Sequence, residues 1–104
     1  MALPARPRKR PPSHPGEVAG DILDEQRLSV RGAAKALGMT HSALDKVLKG
    51  KIGVTAETAV RFGRYFGNGA RLWLDLQADY DLYRAERDLV AELRAIAPLP
   101  RDAD

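Results

Sequence analysis

The stretch that decides the fold is "LGMTHSALDKVLKG", residues 37–50. Gly38 can supply the left-handed residue that ends a helix, and Thr40 can cap the next helix by accepting a hydrogen bond from a backbone N–H of its first turn. In that next helix, burial of Leu44 and Val47 would leave polar side chains on the opposite face. Two short helices joined by a glycine-containing turn of three to four residues form a helix-turn-helix, whose second helix enters the DNA major groove.

The chain on either side of this stretch also has the pattern of short amphipathic helices. Apolar residues at i, i+3, i+4 and i+7 of residues 30–37, behind the candidate cap Ser29, predict a one-sided helix before the turn. A first helix should begin near Pro15, where proline is favoured. A fourth should occupy residues 55–67, and a fifth, with Asn68 as its candidate cap, should end before Pro98. No segment alternates with a period of two residues, so the sequence predicts an all-α fold.

Composition divides the chain into an arm, a domain and a tail. Residues 1–13 are rich in proline and basic residues and contain no acidic residue, so they should form a flexible arm. Whether this arm becomes ordered on DNA or on a protein partner is left open by the sequence. Residues 14–97 should form one helix-turn-helix DNA-binding and dimerisation domain, and residues 98–104 a short C-terminal tail.

The net charge of +3 is unevenly distributed along the chain. Residues 27–71 carry nine lysines and arginines against two acidic residues, whereas residues 72–104 carry four against eight. A basic centre of this length indicates a polyanionic partner, although a solvated surface explains the charge of any single helix equally well. The acidic end indicates contact with something other than a polyanion.

The sequence argues against several other classes of protein. It contains no cysteine, which excludes a disulfide framework, a thiolate zinc site and a thiol nucleophile. The two histidines lack partners for a metal site, and no nucleophile or glycine-rich phosphate loop accompanies the acidic residues. We therefore predict no enzymatic activity, no metal and no cofactor. No apolar run approaches the roughly 20 residues of a membrane span and no signal-peptide pattern is present, so a cytoplasmic protein without membrane contact is expected.

The polar side of the second helix carries the candidate chemistry. The side chains left over once its apolar residues are buried are His41, Ser42, Asp45, Lys46 and Lys49. In helix-turn-helix proteins the first residues of this helix reach base edges, whereas the cap and the following loop meet phosphates. The sequence therefore predicts that this face reads double-stranded DNA.

Four segments together resemble the HigA-type antitoxins, a branch of the helix-turn-helix family that includes phage repressors and the xenobiotic-response-element (XRE) regulators. They are "HPGEVAGDIL" (14–23), "SVRGAAKALGMTHSALDKVLKGK" (29–51), "TAETAVRFGRYFG" (55–67) and "WLDLQADYDL" (73–82), and the resemblance covers about residues 14–90. It implies a five-helix, lambda-repressor-like domain with a long C-terminal helix. It also implies a homodimer that represses its own operon and binds a small RelE-like toxin that cleaves mRNA.

The resemblance also implies which residues face DNA. By position, the family's DNA-facing sites are occupied by Thr40, His41, Ser42, Lys46 and Lys49, with Ser29 near a phosphate and Lys51 in the loop that faces the DNA backbone. Two positions depart from the family pattern, because His41 stands where glutamine or arginine is usual and Asp45 where serine is common. The base preference therefore cannot be transferred. A neutral histidine lacks the bidentate pair that arginine makes to guanine, and Asp45 should accept from a cytosine amino group or orient a neighbouring lysine.

The predicted fifth helix carries two apolar stripes. The first contains Trp73, Leu76, Tyr80 and Tyr83. These side chains either pack in the core or form a dimer interface, since bulky aromatic residues with polar tips suit interfaces. The second stripe contains Leu82, Leu89, Leu93 and Ile96. A four-helix core does not obviously need it, so it should contact a partner chain or fold back.

Together these features predict a dimeric, operator-binding repressor that is also the antitoxin of a HigBA-like toxin–antitoxin pair. It would neutralise a HigB-like toxin by covering the toxin's basic RNA-binding face, with the acidic residues of either the first helix or the C-terminal third. A stand-alone helix-turn-helix transcriptional regulator without a toxin is the alternative and shares every prediction about DNA. An adaptor that has kept the fold but lost DNA binding is a third alternative.

Overall fold

Residues 11–100 are described by a computed structural model, and all regular secondary structure in that range is α-helical. The helices are α1 (Pro15–Glu25), α2 (Val30–Leu37), α3 (His41–Leu48), α4 (Ala56–Phe66), α5 (Ala70–Asp88) and α6 (Val90–Ala95). The predicted all-α fold is confirmed, and α2 and α3 are the two helices of the predicted helix-turn-helix. Parts of the predicted arm and tail, residues 1–10 and 101–104, lie outside the described residues.

Hydroxyl side chains cap the N-termini of α2, α3 and α4, which confirms the predicted caps Ser29 and Thr40 and adds Thr55. Ser29 Oγ accepts from the backbone N–H of Gly32 at 3.0 Å, and Thr40 Oγ1 accepts from that of Ala43 at 3.0 Å. Thr55 does the same for α4 at 3.3 Å. Each bond satisfies a first-turn N–H that has no partner within the helix, which fixes where the helix begins.

The core lies between α1–α4 and the first half of α5. Its largest fully buried side chains include Trp73, Phe62, Leu44 and Val47. Phe62 packs edge-on against Trp73, with ring centroids 5.1 Å apart. The helices α4 and α5 can approach closely because position 63 is glycine: a Cβ there would lie 2.4 Å from the backbone nitrogen of Ala70. The same core therefore supports the back of α3 and the start of α5.

Helix α1 crosses the end of α3 at backbone contact distance. Gly16 is buried, and a Cβ built on it would lie 1.8 Å from the carbonyl oxygen of Val47. Only glycine permits this approach, because any side chain would have to occupy the space of the α3 backbone. The contact fixes the C-terminal end of α3 against α1.

The structure differs from the prediction at both ends of the fifth helix. The helix begins after Gly69 (φ 86°) rather than at a side-chain cap, and Asn68 Oδ1 instead accepts from the indole N–H of Trp73 at 2.7 Å. The buried indole requires a partner, and the asparagine supplies it. At the other end the predicted single helix is divided at Leu89 into α5 and α6. Side chains there are exposed, so packing contributes little to keeping the helix regular.

The second apolar stripe is uncovered in this chain. Leu82, Leu89, Leu93 and Ile96 are all exposed. The expectation that the stripe folds back onto its own domain is therefore wrong for the described residues, while its contact with a partner chain stays a prediction. Within residues 11–100, no helix has both the length and the apolar composition needed to cross a membrane.

Candidate nucleic-acid interface

One side of α3 is buried in the core and the other is open to solvent. Leu44 and Val47 are fully buried. His41, Ser42 and Lys46 are exposed on the remaining surface of the helix. The described part of the chain leaves these polar side chains uncovered, so a duplex could reach them.

Two charged residues of α3 form an ion pair on this exposed side. Lys49 Nζ lies 2.9 Å from Asp45 Oδ2, one helical turn away. The hydrogen bond from the Lys49 ammonium is the main cause that lowers the pKa of the Asp45 carboxyl. Asp45 therefore stays ionised and holds Lys49 against the helix. This geometry agrees with the predicted role of Asp45 in orienting a neighbouring lysine.

The caps Ser29 and Thr40 are exposed and keep a free donor. Each hydroxyl oxygen uses a lone pair to accept from its own helix. The hydroxyl hydrogen is not needed for that bond and can point outward toward an acceptor. Both residues also stand at helix N-termini, where backbone N–H groups and the helix dipole favour an anion. The two sites are chemically suited to phosphate oxygens.

The turn between α2 and α3 is held by a backbone motif and by a side chain from α4. Met39 N donates to Ala34 O at 2.9 Å and Gly38 N to Lys35 O at 3.2 Å, which is a Schellman ending with Gly38 at φ 70°. Arg61 Nη1 donates to the last carbonyl of α2, Leu37 O, at 2.9 Å. The entry angle of α3 is thus fixed from outside the helix-turn-helix.

The loop after α3 is tied both to α3 and to α5. Lys51 N and Ile52 N donate to Lys46 O at 2.8 and 3.4 Å. Farther along, Val54 N donates to the side-chain oxygen of Gln77 at 2.7 Å. The side chain of Lys51 is exposed on this loop. The predicted phosphate-facing lysine therefore sits on a loop with defined attachments at both ends.

His14 links the start of α1 to α5 beside the same loop. Its Nδ1 accepts from Gly16 N at 2.9 Å, which makes it the cap of α1, and its ring packs edge-on against Tyr80 with centroids 4.9 Å apart. Burial is the main cause that lowers the pKa of His14. Asp81, Arg84 and Glu17 modify this effect by their charges. The cap requires an unprotonated Nδ1, so burial and capping both favour the neutral ring.

Comparison with known proteins finds relatives along most of the chain, although no protein-family model matches it. Virulence-associated protein I of Dichelobacter nodosus is 39% identical over 104 residues, which cover 99% of this chain and 95% of the relative. The helix-turn-helix-type transcriptional regulator YddM of Escherichia coli is 32% identical over 83 residues, which cover 79% of this chain and 88% of the relative.

A solved structure decides the family. The antitoxin HigA of Pseudomonas aeruginosa, determined with the higBA promoter, matches this chain with a TM-score of 0.80 and 33% identity, covering 86% of this chain and 99% of that one. The chain belongs to the HigA antitoxin family. The predicted helix-turn-helix fold and the resemblance to HigA-type antitoxins are both confirmed.

The dimer residues predicted for this HigA-family chain differ in their surroundings. Trp73 is fully buried inside the subunit, so its predicted place in a dimer interface is wrong: the indole is needed by the core, where it packs against Phe62. Leu76 packs partly against the same core. Tyr80 contacts His14 of its own chain, and Tyr83 is half-buried with Arg87 over its ring at 6.0 Å. A dimer contact by Leu76, Tyr80 and Tyr83 stays a prediction.

Three residues that organise the site were not singled out as site residues in the sequence. Arg61 and Gln77 act at the two ends of α3, and His14 caps α1. Gln77 interrupts the apolar stripe of α5 one turn after Trp73, and a polar residue at such a position signals a buried hydrogen bond. His14 precedes Pro15 at the helix start, the position of an N-cap. For Arg61, the sequence gives no comparable sign.

The described residues do not bring together any group of three or more His, Asp or Glu side chains that could hold a metal ion. Six of the eight predicted DNA-facing residues share one helix and its caps. Thr40, His41, Ser42, Asp45, Lys46 and Lys49 lie on the cap and helix of α3, with Lys51 in the loop that follows and Ser29 at the start of α2. Their contact with DNA is a proposal argued below.

Proposed function

We propose that this protein is an operator-binding dimeric repressor and the antitoxin of a HigBA-like pair. The observation that carries the DNA-binding half is the division of α3 into a buried side, Leu44 and Val47, and an exposed polar side. Solvation alone explains a polar outer side on any single helix; what indicates DNA here is that this helix is the second of a helix-turn-helix, the one that enters the major groove. The P. aeruginosa relative determined with its promoter has the same fold, which supports the proposal.

The residues divide into two roles on DNA. His41, Ser42 and Lys46 face the groove and contribute most of the base readout, with Asp45 accepting from a cytosine amino group or holding Lys49. The surrounding set binds phosphates and supplies most of the salt-sensitive affinity. That set consists of Ser29, Thr40, Lys49 and Lys51.

The DNA-binding half is tested with the DNA upstream of the gene. Fluorescence anisotropy across a salt series should give tight, salt-sensitive binding that exceeds binding to unrelated duplex by about 10³-fold or more. Lys46→Gln should weaken operator binding, whereas the matched Arg94→Gln, on the exposed end of α6, should leave it unchanged. Absence of binding at low salt would reject the repressor and favour an adaptor that has kept only the fold.

A homodimer would place two copies of α3 in successive major grooves, about 34 Å apart. The exposed stripe of α5 and α6, together with Leu76, Tyr80 and Tyr83, supplies apolar surface for the second copy. The operator should then be palindromic, because an isologous dimer is twofold symmetric. Sedimentation equilibrium of the free protein tests the dimer, and Leu93→Glu should shift it toward the monomer.

The antitoxin half is proposed from family membership and from charge. A RelE-like toxin that cleaves mRNA needs a basic RNA-binding face, and two exposed acidic surfaces of this chain could cover it. One is on α1 and contains Asp21, Asp24 and Glu25; the other is on α5 and α6 and contains Glu86, Asp88 and Glu92. Neutralisation would be stoichiometric and needs no catalytic group on this chain.

Co-expression with the neighbouring gene tests this half. A stable complex and rescue of growth are the expected results. Two variant proteins, each with the three acidic residues of one surface replaced by alanine, then identify the surface: the one that loses toxin binding provides it. If neither variant loses affinity, neither acidic surface binds the toxin.

A stand-alone transcriptional regulator is the second candidate, because the E. coli relative YddM is a helix-turn-helix-type transcriptional regulator. The DNA experiment does not separate the two candidates. The neighbouring gene does: if its product neither binds this protein nor slows growth, the stand-alone regulator is favoured.

A further inference from the structure

A buried amide from α5 holds the loop that follows α3. Gln77 is 9% exposed, and its Oε1 accepts from Val54 N at 2.7 Å while its Nε2 donates to Asp81 Oδ1 at 2.9 Å. The orientation of the amide is determined by these partners, because a backbone N–H only donates and an ionised carboxylate only accepts. Gln77 is thus the right residue type for this position: leucine or methionine would leave the Val54 N–H without its partner.

The loop is packed against this amide at close range. A Cβ on Gly53 would lie 3.1 Å from Gln77 Cδ, and the side chain of Val54 is buried in the core. At its other end the loop is bonded to α3 through Lys51 N and Lys46 O, at 2.8 Å. The loop from Lys51 to Val54 is therefore bonded to α3 at its first residue and to α5 at its last.

We infer that Gln77 is a positioning residue for DNA binding, which holds Lys51 and the end of α3 in a fixed place relative to α5. The inference rests on the proposed operator binding. Gln77 touches no DNA in this scheme; it acts through the loop. With the loop held, the Lys51 ammonium meets a phosphate without the loss of chain entropy that ordering a mobile loop would require.

Helix α5 also carries the proposed dimer surface. The bond between Gln77 and Val54 therefore connects the loop after α3 to the helix that would set the distance between the two copies of α3. Rigid support of this kind is what keeps a binding group within reach of its target. Loss of the bond should therefore weaken operator binding more than it weakens binding to unrelated DNA.

The first test compares operator and unrelated duplex binding for Gln77→Met, which has similar length and no hydrogen-bonding amide. Operator affinity should fall about three- to tenfold, because the cost of ordering the freed loop offsets the energy of the Lys51 phosphate contact, which is then not made. Its salt dependence should lose about one unit of slope, as for loss of one phosphate contact. Unrelated duplex loses the same phosphate contact, but its affinity should fall less, because the position of α3 relative to the second copy matters only at the operator.

A double variant provides the rescue. Gln77→Glu alone keeps an acceptor for Val54 N–H but sets two carboxylates side by side, so it should also weaken operator binding. Adding Asp81→Asn supplies an amide donor and reverses the polarity of the original bond. This pair should restore affinity and salt slope to nearly the wild-type values, which would show that the hydrogen bonds, rather than the glutamine side chain itself, are required.

A double-mutant cycle separates positioning from a structural role. Lys51→Ala should weaken operator binding in the wild-type background and have little further effect in Gln77→Met. His41→Ala, at the opposite end of α3 from the loop, is the control and should have nearly the same effect in both backgrounds. If Gln77→Met does not fold, the cycle is measured in Gln77→Glu.

Each result decides a different point. Suppose that the wild-type protein binds its operator, and that the Gln77 variants keep its ratio of operator to unrelated-duplex affinity and its salt dependence. This result overturns the inference and leaves the proposed function intact. Additive effects of the Lys51 and Gln77 substitutions on operator affinity have the same consequence. Loss of folding in both Gln77 variants also overturns it, because the residue would then be structural. Wild-type protein that fails to bind at low salt overturns the proposed function and this inference with it.

Discussion

Replacing Gly16 with alanine should disrupt the backbone contact between α1 and the C-terminal end of α3. The added Cβ would lie 1.8 Å from Val47 O, 2.7 Å from Val47 C and 3.0 Å from Leu48 Cα, all of them backbone atoms. Carbon and oxygen atoms in contact normally keep about 3.3 Å or more. The two helices must therefore separate by more than about 1 Å, and no side-chain rotation can avoid it.

The magnitude follows from two opposing effects. Alanine gains about 0.5–1 kcal/mol over glycine within a helix. Overpacking in a close-packed core costs about 1–3 kcal/mol or more when backbone has to move. We expect Gly16→Ala to lower the free energy of unfolding by about 2 kcal/mol, which corresponds to roughly 8–16 °C in Tm for a domain of this size.

Gly20 provides a matched control on the same helix. A Cβ there has no atom within 4 Å outside its own helix and neighbours, so Gly20→Ala should raise the free energy of unfolding by about 0.5–1 kcal/mol. Urea denaturation followed by far-UV circular dichroism measures both variants. If Gly16→Ala is as stable as the wild type while Gly20→Ala gains stability, α1 and α3 are not in backbone contact and the reasoning fails.

Three further changes probe the other attachments. Arg61→Met removes the donor to the carbonyls of Leu37 and Gly38 and should lower the free energy of unfolding by about 1–2 kcal/mol. The control is Glu57→Gln, at the exposed ion-pair partner of Arg61, which should change that free energy by under about 0.5 kcal/mol. Equal urea midpoints for the two variants would contradict this expectation. Asn68→Ala leaves the buried Trp73 indole N–H without its acceptor and should cost about 1 kcal/mol in the same assay, with Asn68→Asp as the control that keeps an acceptor. The lowered pKa of His14 means that the unfolded chain binds more protons, so stability should fall as pH decreases through the ordinary value of 6.5 toward the folded pKa. His14→Asn keeps a capping oxygen and should lose that component of a Tm-against-pH profile; identical profiles would refute the role of His14.

Local rules predicted the parts of the fold that depend on neighbours in sequence. Ser29 and Thr40 cap their helices, and Gly38 adopts the left-handed conformation, because each needs only backbone groups within a few residues. The exposed polar side of α3 followed from the spacing of Leu44 and Val47, since burial of two positions one turn apart determines the rest of the helix surface.

Contacts between distant segments could not be predicted in the same way. Gly16 and Gly20 look alike in the sequence, yet one meets the backbone of α3 and the other meets nothing. Trp73 fits a dimer interface and a core equally well by composition, and only the arrangement of α4 against α5 places it inside. Arg61 bonds to a carbonyl 24 residues away, a distance at which sequence spacing carries no information.

The contacts that hold α3 in place do not involve the side chains on its exposed polar side. Gly16 of α1 contacts its C-terminal end, Arg61 of α4 fixes the turn before it, and Gln77 of α5 fixes the loop after it. None of these attachments uses the side chains of His41 or Asp45, which lie on the outer side. Because surface substitutions away from such contacts usually change stability by less than about 0.5 kcal/mol, these two positions can differ from the family pattern without disturbing the fold. In the proposed complex with DNA, the identities of these two residues bear on which bases are read. In a selection of operator sequences, His41→Gln should prefer different bases from the wild type, while its midpoint of unfolding stays the same.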